Sequence, residues 1–264
     1  MENDVKKRTP KNRADEVISA LVEAIKNVIR EKDVSYEEYR SALGVLNKYN
    51  GTAPYEINLV CDMFFEQAVH DQAKTHLEGS RPILKGPYFL EGAPEVTDSL
   101  KTVPGEGEPF MIRAHFEDPN GTPIEGVRVN VWHANPEGNY SGYFDDFPIE
   151  YFRGKVLTDS QGNIALKTTK PKEYPIPTKG PTGEILKAME RSEWRPAHIH
   201  FLCEKEGFRP HITQAYFADH AFVDDDVVDG VRPDVVYEIK QEGELQAIDV
   251  NVVMNRAPVK AAVS

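Results

Sequence analysis

Hydrophobic positions in the first part of the chain recur at the three-to-four residue spacing of amphipathic helices. Between residues 14 and 30 the apolar positions are Val17, Ile18, Leu21, Val22, Ile25, Val28 and Ile29. Apolar residues at i, i+3, i+4 and i+7 share one face of a helix. A second helix is predicted from Tyr36 to about Lys48, and a third from about Pro54 to Leu77.

Capping and turn residues mark the limits of these helices. Glu38 follows Ser35 by three residues, which is the spacing of a capping box at a helix N-terminus. Asn50-Gly51 and Glu78-Gly79 are predicted to end the second and third helices. The first two helices carry more apolar surface than a short hairpin can bury. That surface could pack on the rest of the chain or form a symmetric dimer interface, and the pattern leaves both open.

After Gly79 the pattern changes to short alternating runs separated by proline- and glycine-rich turns. The runs cover residues 110–116, 127–133, 155–158, 164–168, 198–201, 211–217 and 245–254. Many short strands with turn signals between them are typical of a β-sandwich or barrel. We therefore predict an α+β protein, with a helical N-terminal region over residues 1–80 and an antiparallel β-sandwich domain over residues 81–264.

Composition narrows the possible functions only slightly. The net charge of −12 argues against binding to a nucleic-acid backbone, which requires a basic surface. Two distant cysteines, Cys61 and Cys203, cannot form a disulfide framework or a zinc ribbon. The first residues lack the apolar core of a signal peptide, and no run of about 18 apolar residues predicts a membrane span. The cytoplasm is the expected compartment.

Two histidines one residue apart are the first candidate for chemistry. His198 and His200 lie in a run bounded by apolar residues, and alternate side chains of a strand leave on the same face. Two imidazoles could therefore reach one metal ion, although an isolated H-x-H is more often a pair of half-exposed side chains. Zinc or Fe(II) would need a third histidine or a carboxylate, for which Glu204, Asp219 and residues 224–226 are candidates by type.

Several segments in register resemble the intradiol ring-cleavage dioxygenases, specifically the single-chain catechol 1,2-dioxygenase branch. They are Trp132-His133-Ala134-Asn135, Gly138-Asn139-Tyr140-Ser141, Gly180-Pro181-Thr182-Gly183, Arg195-Pro196-Ala197-His198-Ile199-His200-Phe201 and Thr213-Gln214. The resemblance covers essentially the whole chain. Residues 145–155, 174–177 and 224–226 are most similar to chlorocatechol 1,2-dioxygenases. Lys172-Glu173 and residues 211–213 depart from the family pattern, which leaves substrate preference and loop shape open.

The resemblance implies a mononuclear Fe(III) held by Tyr140, Tyr174, His198 and His200, with Tyr174 released as a base when the substrate binds. It assigns Arg195 to stabilising negative charge on the substrate ring, with Gln214 as a polar neighbour. Strict strand alternation would place Arg195 opposite His198, so this role requires a bend at Pro196. The alternative for Arg195 is an ion pair with an acidic loop. The implied pocket residues are Ala68, Asp71, Gln72, Leu84, Pro87, Tyr88 and Val228.

The implied reaction is cleavage of catechol, or of substituted catechols including chlorocatechols, by O2 to cis,cis-muconates. Hydroxyquinol cleavage to maleylacetate is the alternative within the family. The family also implies a homodimer formed through the N-terminal helices, at an interface that often holds a phospholipid. Two different classes remain open from the residues alone. One is a zinc or Fe(II) hydrolase or oxygenase, and the other is a non-catalytic β-sandwich binding module.

Overall fold

The helical region is built from consecutive amphipathic segments. The computed structural model describes residues 9–49, 54–73, 77–143 and 147–258. Helix α1 spans Arg13–Glu31, α2 spans Tyr36–Tyr49, α3 spans Pro54–Cys61 and α4 spans Gln67–Ala73. A π-helical turn at Asp62–Glu66 joins α3 to α4, so the single third helix predicted from the sequence is interrupted. The predicted stop at Asn50-Gly51 lies outside the described residues.

The capping box predicted for α2 is confirmed. The Ser35 amide donates to the Glu38 carboxylate at 2.9 Å, and the Glu38 amide donates to the Ser35 hydroxyl at 3.2 Å. Helix α1 has a comparable cap, since the Asn12 side chain accepts from the Asp15 amide at 2.9 Å. These bonds satisfy amide groups that have no partner within the helix, and they place each helix start at a defined residue.

Eleven strands follow within the described part of the chain, and α5 interrupts them at Pro181–Met189. Their bounds are β1 Pro109–Glu117, β2 Arg128–His133, β3 Arg153–Leu157, β4 Asn163–Thr169, β5 Tyr174–Pro175, β6 Trp194–Arg195, β7 His198–Glu204, β8 His211–Phe217, β9 Val236–Tyr237, β10 Lys240–Glu242 and β11 Leu245–Val253. A four-stranded sheet has the order β10-β11-β1-β4, and a five-stranded sheet has the order β3-β2-β7-β8-β9.

The predicted α+β class with a β-sandwich is confirmed. Most neighbouring strands are antiparallel, but β1 pairs with β11 and β8 pairs with β9 in parallel, so the sheets are mixed. The inner faces of the two sheets form one core in which Phe110, Phe116, Phe201 and Ile248 are fully buried. Burying each such side chain contributes about 1.5–3 kcal/mol. Helix α5 was not predicted, because its apolar positions are few and lie between prolines.

A second cluster of buried side chains joins the helical region to the outer face of the five-stranded sheet. It includes Leu59, Met63 and Phe64 from the helices and Trp132, Tyr140 and Tyr216 from the sheet side. One face of α1 remains outside this packing, since Val17, Leu21, Ile25 and Val28 are 39–60% exposed. No helix among the described residues is both long and apolar enough to span a membrane.

Candidate metal centre

Two histidine side chains from β7 meet at one point on the face of the five-stranded sheet that is turned toward the helices. His198 and His200 are both buried, and their Nε2 atoms are 3.0 Å apart. The Nδ1 atom of His198 lies 2.7 Å from the carbonyl oxygen of Pro196, which can only accept, so Nδ1 carries the proton and Nε2 a lone pair. Trp132 from the adjacent strand stacks on His200 at 4.6 Å and fixes its ring plane.

Both imidazoles are held in the form that binds metal ions. Burial lowers the pKa of His198 and of His200 well below the ordinary value, and neighbouring positive groups lower both further. Neutral imidazole is the metal-binding form of histidine. Two ring nitrogens at 3.0 Å need a proton or a cation between them, since two lone pairs would otherwise face each other at contact distance.

Two tyrosine hydroxyls complete the cluster. The Tyr140 oxygen lies 3.4 Å from His198 Nε2 and 3.3 Å from His200 Nε2. The Tyr174 ring stands edge-on to the Tyr140 ring, with centroids 5.1 Å apart. Burial raises the pKa of both phenols, most strongly for Tyr140, so ionisation of either requires a nearby cation.

A tight turn delivers Tyr140 to this point. The Asn135 side chain accepts from the amides of Glu137 and Asn139, and Gly138 adopts a φ of +84°. A Cβ at Gly138 would lie 2.7 Å from the carbonyl oxygen of Glu173, so only glycine permits this approach of the two tyrosine-bearing segments.

The bend that the sequence required at Pro196 is present. Trp194 and Arg195 form β6, which pairs with β5 rather than continuing into β7, and Tyr174 lies directly opposite Arg195. Strand β7 begins only at His198, so the alternation is broken between the two strands. The Nη1 atom of Arg195 therefore lies 3.2 Å from His198 Nε2 and 3.4 Å from the Tyr174 oxygen.

The remaining edges of the Arg195 guanidinium are occupied by other buried groups. Asp226 accepts from Nε at 3.0 Å and from Nη2 at 3.1 Å. Gln214 Oε1 and the Tyr216 hydroxyl lie 3.1 and 2.6 Å from Nη2. Gln214 is itself held by its amide group, which donates to the Leu84 carbonyl at 2.6 Å. Arg195 thus forms the ion pair with an acidic loop and also reaches the cluster, and its role in stabilising charge on a substrate stays a prediction.

A recess of about 280 Å³, counting the space that opens to solvent, adjoins the cluster. Of the seven predicted pocket residues, Leu84, Pro87, Tyr88 and Val228 line it. The other lining residues are Leu59, Asp62, Met63, Gly86, Tyr174, Ile176 and Arg195. Tyr88 stacks on Tyr140 with centroids 4.3 Å apart, so the wall of the recess also supports a candidate ligand.

Three predicted pocket residues lie elsewhere. Ala68 and Asp71 line a second recess, together with Lys26 and Arg30 of α1. Gln72 lines neither recess, and its side chain donates to Asp33 at 3.2 Å. Met63 and Val228 line both recesses, so the two are adjacent, and the assignment of Ala68, Asp71 and Gln72 to the substrate pocket stays a prediction.

Asp62 is the functional candidate that the sequence argument missed. Its side chain is buried in the wall of the recess, where Tyr39 and Arg40 approach Oδ1 at 3.3 and 3.5 Å. Burial, reinforced by the charge of Glu66, raises the pKa of Asp62 to about 8. The available signal was an acidic residue within the apolar run Cys61-Asp62-Met63-Phe64-Phe65, which an α-helical projection assigns to the solvent side.

The carboxylate alternative for the metal is not supported by this geometry. Within the described ranges, no three histidine, cysteine, aspartate or glutamate side chains are grouped so that they could hold a metal ion. Glu204 is exposed at the end of β7, and Asp226 is engaged with Arg195. Among the described residues, the two histidines therefore have the Tyr140 phenol oxygen as their neighbour and not a carboxylate.

Comparison with known proteins identifies the family of the chain. The family model described as "Dioxygenase" matches residues 84–254, and that described as "Catechol dioxygenase N terminus" matches residues 11–81. The chain is 43% identical over 246 residues to a chlorocatechol 1,2-dioxygenase of Pseudomonas sp. strain P51, covering 93% of this chain and 97% of that protein. It is 30% identical over 240 residues to a catechol 1,2-dioxygenase of Candida albicans, covering 87% and 79%.

Solved structures of chlorocatechol 1,2-dioxygenases are also similar to this chain over most of its length. The crystal structure of chlorocatechol 1,2-dioxygenase from Pseudomonas putida superposes with a TM-score of 0.75 at 39% identity, covering 92% of this chain and 99% of that one. That of 3-chlorocatechol 1,2-dioxygenase from Rhodococcus opacus 1CP gives 0.74 at 32% identity, covering 93% and 99%. With two family models spanning most of its length and relatives at these identities, the chain belongs to the intradiol ring-cleavage dioxygenase family.

Proposed function

We propose that this protein is an Fe(III)-dependent intradiol dioxygenase that cleaves catechol or chlorinated catechols with O2 to cis,cis-muconates. The observation that carries the proposal is the convergence of two phenol oxygens and two imidazole nitrogens beside a largely apolar recess. Family membership supports the reaction class, and the geometry supports the site.

The four donors fit a ferric ion. Phenolates are hard anionic oxygen ligands that favour Fe(III), and imidazole suits iron. The 3.0 Å separation of the two ring nitrogens is short enough for one metal ion to contact both. When bound, Fe(III) would favour ionisation of the phenols and the catechol and would draw electron density from the catecholate, so that the ring can react with O2.

Residues of the protein would accept a substrate proton and stabilise negative charge on the substrate. A catechol loses two protons when it binds through both oxygens. We assign Tyr174, as its phenolate, as the base that accepts one of them from a substrate hydroxyl, and a hydroxide ion would accept the other and leave as water. The Nη1 donor of Arg195, 3.4 Å from the Tyr174 oxygen, would stabilise negative charge on the substrate at the same position. Tyr140 remains in place because Tyr88 stacks on one face of its ring and the preceding turn is held by the Asn135 side chain.

The recess favours a flat apolar ring. Leu59, Met63, Ile176 and Val228 supply aliphatic surface that can contact ring carbons or chlorine substituents. Asp62 supplies a carboxyl to the same wall, and this group could hydrogen-bond to a third hydroxyl of hydroxyquinol. Hydroxyquinol is therefore the second candidate substrate, and a hydroxyquinol 1,2-dioxygenase of Rhizobium sp. strain MTP-10005 is 27% identical over 252 residues.

The test is oxygen uptake by iron-loaded protein with catechol, 4-chlorocatechol and hydroxyquinol, comparing kcat/KM on one preparation. A red colour from phenolate-to-Fe(III) charge transfer is expected, as is a muconate product from the first two substrates. Zinc-loaded protein is the control and should be colourless and inactive. Protein that stays colourless and inactive after iron loading would refute the proposal.

We further propose that a second copy of the chain covers the exposed stripe of α1. The stripe consists of Val17, Leu21, Ile25 and Val28 and lies on one side of a helix whose other apolar residues are packed. Symmetric pairing of an apolar face is a common route to a dimer, and a phospholipid could occupy the same interface. Leu21→Glu should give a monomer by light scattering, whereas Asn27→Glu should remain dimeric. Organic extraction of purified protein followed by mass spectrometry tests for the lipid.

A further inference from the structure

The loop after β8 carries a buried carboxylate that serves two parts of the site at once. Asp226 is only 4% exposed. Its oxygens accept from Arg195 Nε at 3.0 Å and from Arg195 Nη2 at 3.1 Å, which is a bidentate pair. The same oxygens accept from the backbone amides of Val228 at 3.4 Å and Gly230 at 3.1 Å.

The first consequence concerns the direction of the guanidinium. Asp226, Gln214 and Tyr216 occupy Nε and Nη2, all on one side of the planar group. Nη1 lies on the other side, close to Tyr174 and His198. Because a guanidinium is rigid and planar, holding one edge fixes the position of the opposite donor. Asp226 thereby aims the Arg195 donor that faces the substrate position.

The second consequence concerns the wall of the recess. Val228 lines the recess, and its amide is held by the same carboxylate that holds Arg195. Gly230 packs closely behind it, since a Cβ there would lie 2.7 Å from Leu84 Cδ2 and 2.8 Å from the Tyr216 oxygen. One carboxylate therefore links the position of Arg195 to the position of an aliphatic wall residue.

We propose that Asp226 is a positioning residue that sets both the rate of ring cleavage and the size of substituent that the recess accepts. This inference rests on the proposed function. Asp226 does not line the recess, and its hydrogen bonds go to Arg195, Val228 and Gly230, so it acts through Arg195 and Val228. A residue moved by about 1 Å from a productive position can cost about 100-fold in rate.

The test compares Asp226→Asn with the control Asp224→Asn. Asp224 is an exposed carboxylate of the same loop, so both substitutions change the charge in the same way. Asparagine places an amide donor against a guanidinium donor, so the bidentate pair is lost. We expect Asp226→Asn to lower kcat per bound iron about 10- to 100-fold. We also expect a change of at least threefold in the kcat/KM ratio between catechol and 3,5-dichlorocatechol. Asp224→Asn should match wild type in both quantities.

Two further readouts separate positioning from a merely structural role. A structural carboxylate would lower the yield of folded, iron-loaded protein and leave kcat per iron and the substrate ratio unchanged, and that outcome would overturn the proposal. The visible band of the substrate-free protein should persist, because the candidate ligands are untouched. If Asp226→Asn does not fold, Asp226→Glu is the second test variant. We expect its kcat per iron to be about 10-fold lower than that of wild type. Kinetic constants equal to those of wild type would refute the proposal. Failure of the proposed function would appear separately, as wild-type protein without oxygen uptake.

Discussion

Replacing Asp62 by asparagine should make the protein more stable relative to wild type as the pH rises from 5 to 7. The Asp62 carboxyl is 4% exposed, and burial raises its pKa to about 8. Glu66 on the same π turn raises it further, whereas Arg40 from α2 and Lys85 lower it, and the Tyr39 hydroxyl donates to the ionised form. The folded protein therefore holds Asp62 protonated at neutral pH, while the unfolded chain ionises it.

The size of the change in unfolding free energy follows from this difference in proton binding. A carboxyl whose folded pKa is raised contributes stability that is complete below its unfolded pKa of 3.8 and is lost as the pH rises toward 8. Between pH 5 and 7, unfolding releases one proton from Asp62, so stability falls by about 1.4 kcal/mol per pH unit. Asparagine does not titrate, so the stability advantage of Asp62→Asn over wild type should grow by roughly 3 kcal/mol across this window and level off above about pH 8.

The assay is urea unfolding of iron-free wild type and Asp62→Asn at pH 5, 6, 7 and 9. Burial lowers the pKa of His133 and of His211 to about 4, and these groups also make stability depend on pH. They are present in both proteins, so their effect cancels in the difference. A difference that stays constant between pH 5 and 7 would mean that Asp62 is already ionised when folded, and it would refute the reasoning.

Three further substitutions test the site and the core. Tyr140→Phe should lose iron and the visible band, because it removes the oxygen that lies within 3.4 Å of both histidine Nε2 atoms; iron content equal to wild type would contradict its assignment as a ligand. Tyr174→Phe should retain part of the iron but bind catechol poorly, as measured by metal analysis and spectral titration; unchanged turnover would exclude Tyr174 as the base. Phe201→Ala, at a fully buried position of the sandwich core, should lower the free energy of unfolding by about 3–5 kcal/mol in urea. A loss below about 1 kcal/mol would mean that the core closes over the missing ring.

Regular elements were predictable because their residues follow simple periods. The capping box at Ser35 and Glu38, the alternating strand at Val127–His133 and the H-x-H strand all depend on neighbours close in the sequence. The parallel pairing of β1 with β11 was not predictable, since it joins residues about 135 positions apart. Helix α5 lacked the length of periodic signal from which helices are inferred.

The residues of the candidate site also differ in how far the sequence could predict them. His198 and His200 could be nominated from spacing, and the bend at Pro196 was a stated requirement that the structure meets. Tyr140 and Tyr174 came from resemblance alone, because nothing local distinguishes them from structural aromatics. Asp62 was missed because an α-helical projection places it on the solvent side, whereas residues 61–70 are buried at every position but Phe65. The burial of Asp226 depends on a contact with Arg195 across 31 positions.

The candidate ligands lie on segments that differ in the length of their strand pairing. His198 and His200 belong to a seven-residue strand with neighbours on both sides, so shifting either of them would disturb the central ladder of the five-stranded sheet. Tyr174 belongs to a ladder only two residues long, at the margin of the sandwich. Few backbone hydrogen bonds must break for that segment to move. The fold thus holds the two histidines on a long central ladder and Tyr174 on a short marginal one, so displacement of the Tyr174 side chain during turnover would leave the hydrogen bonds of the central ladder intact.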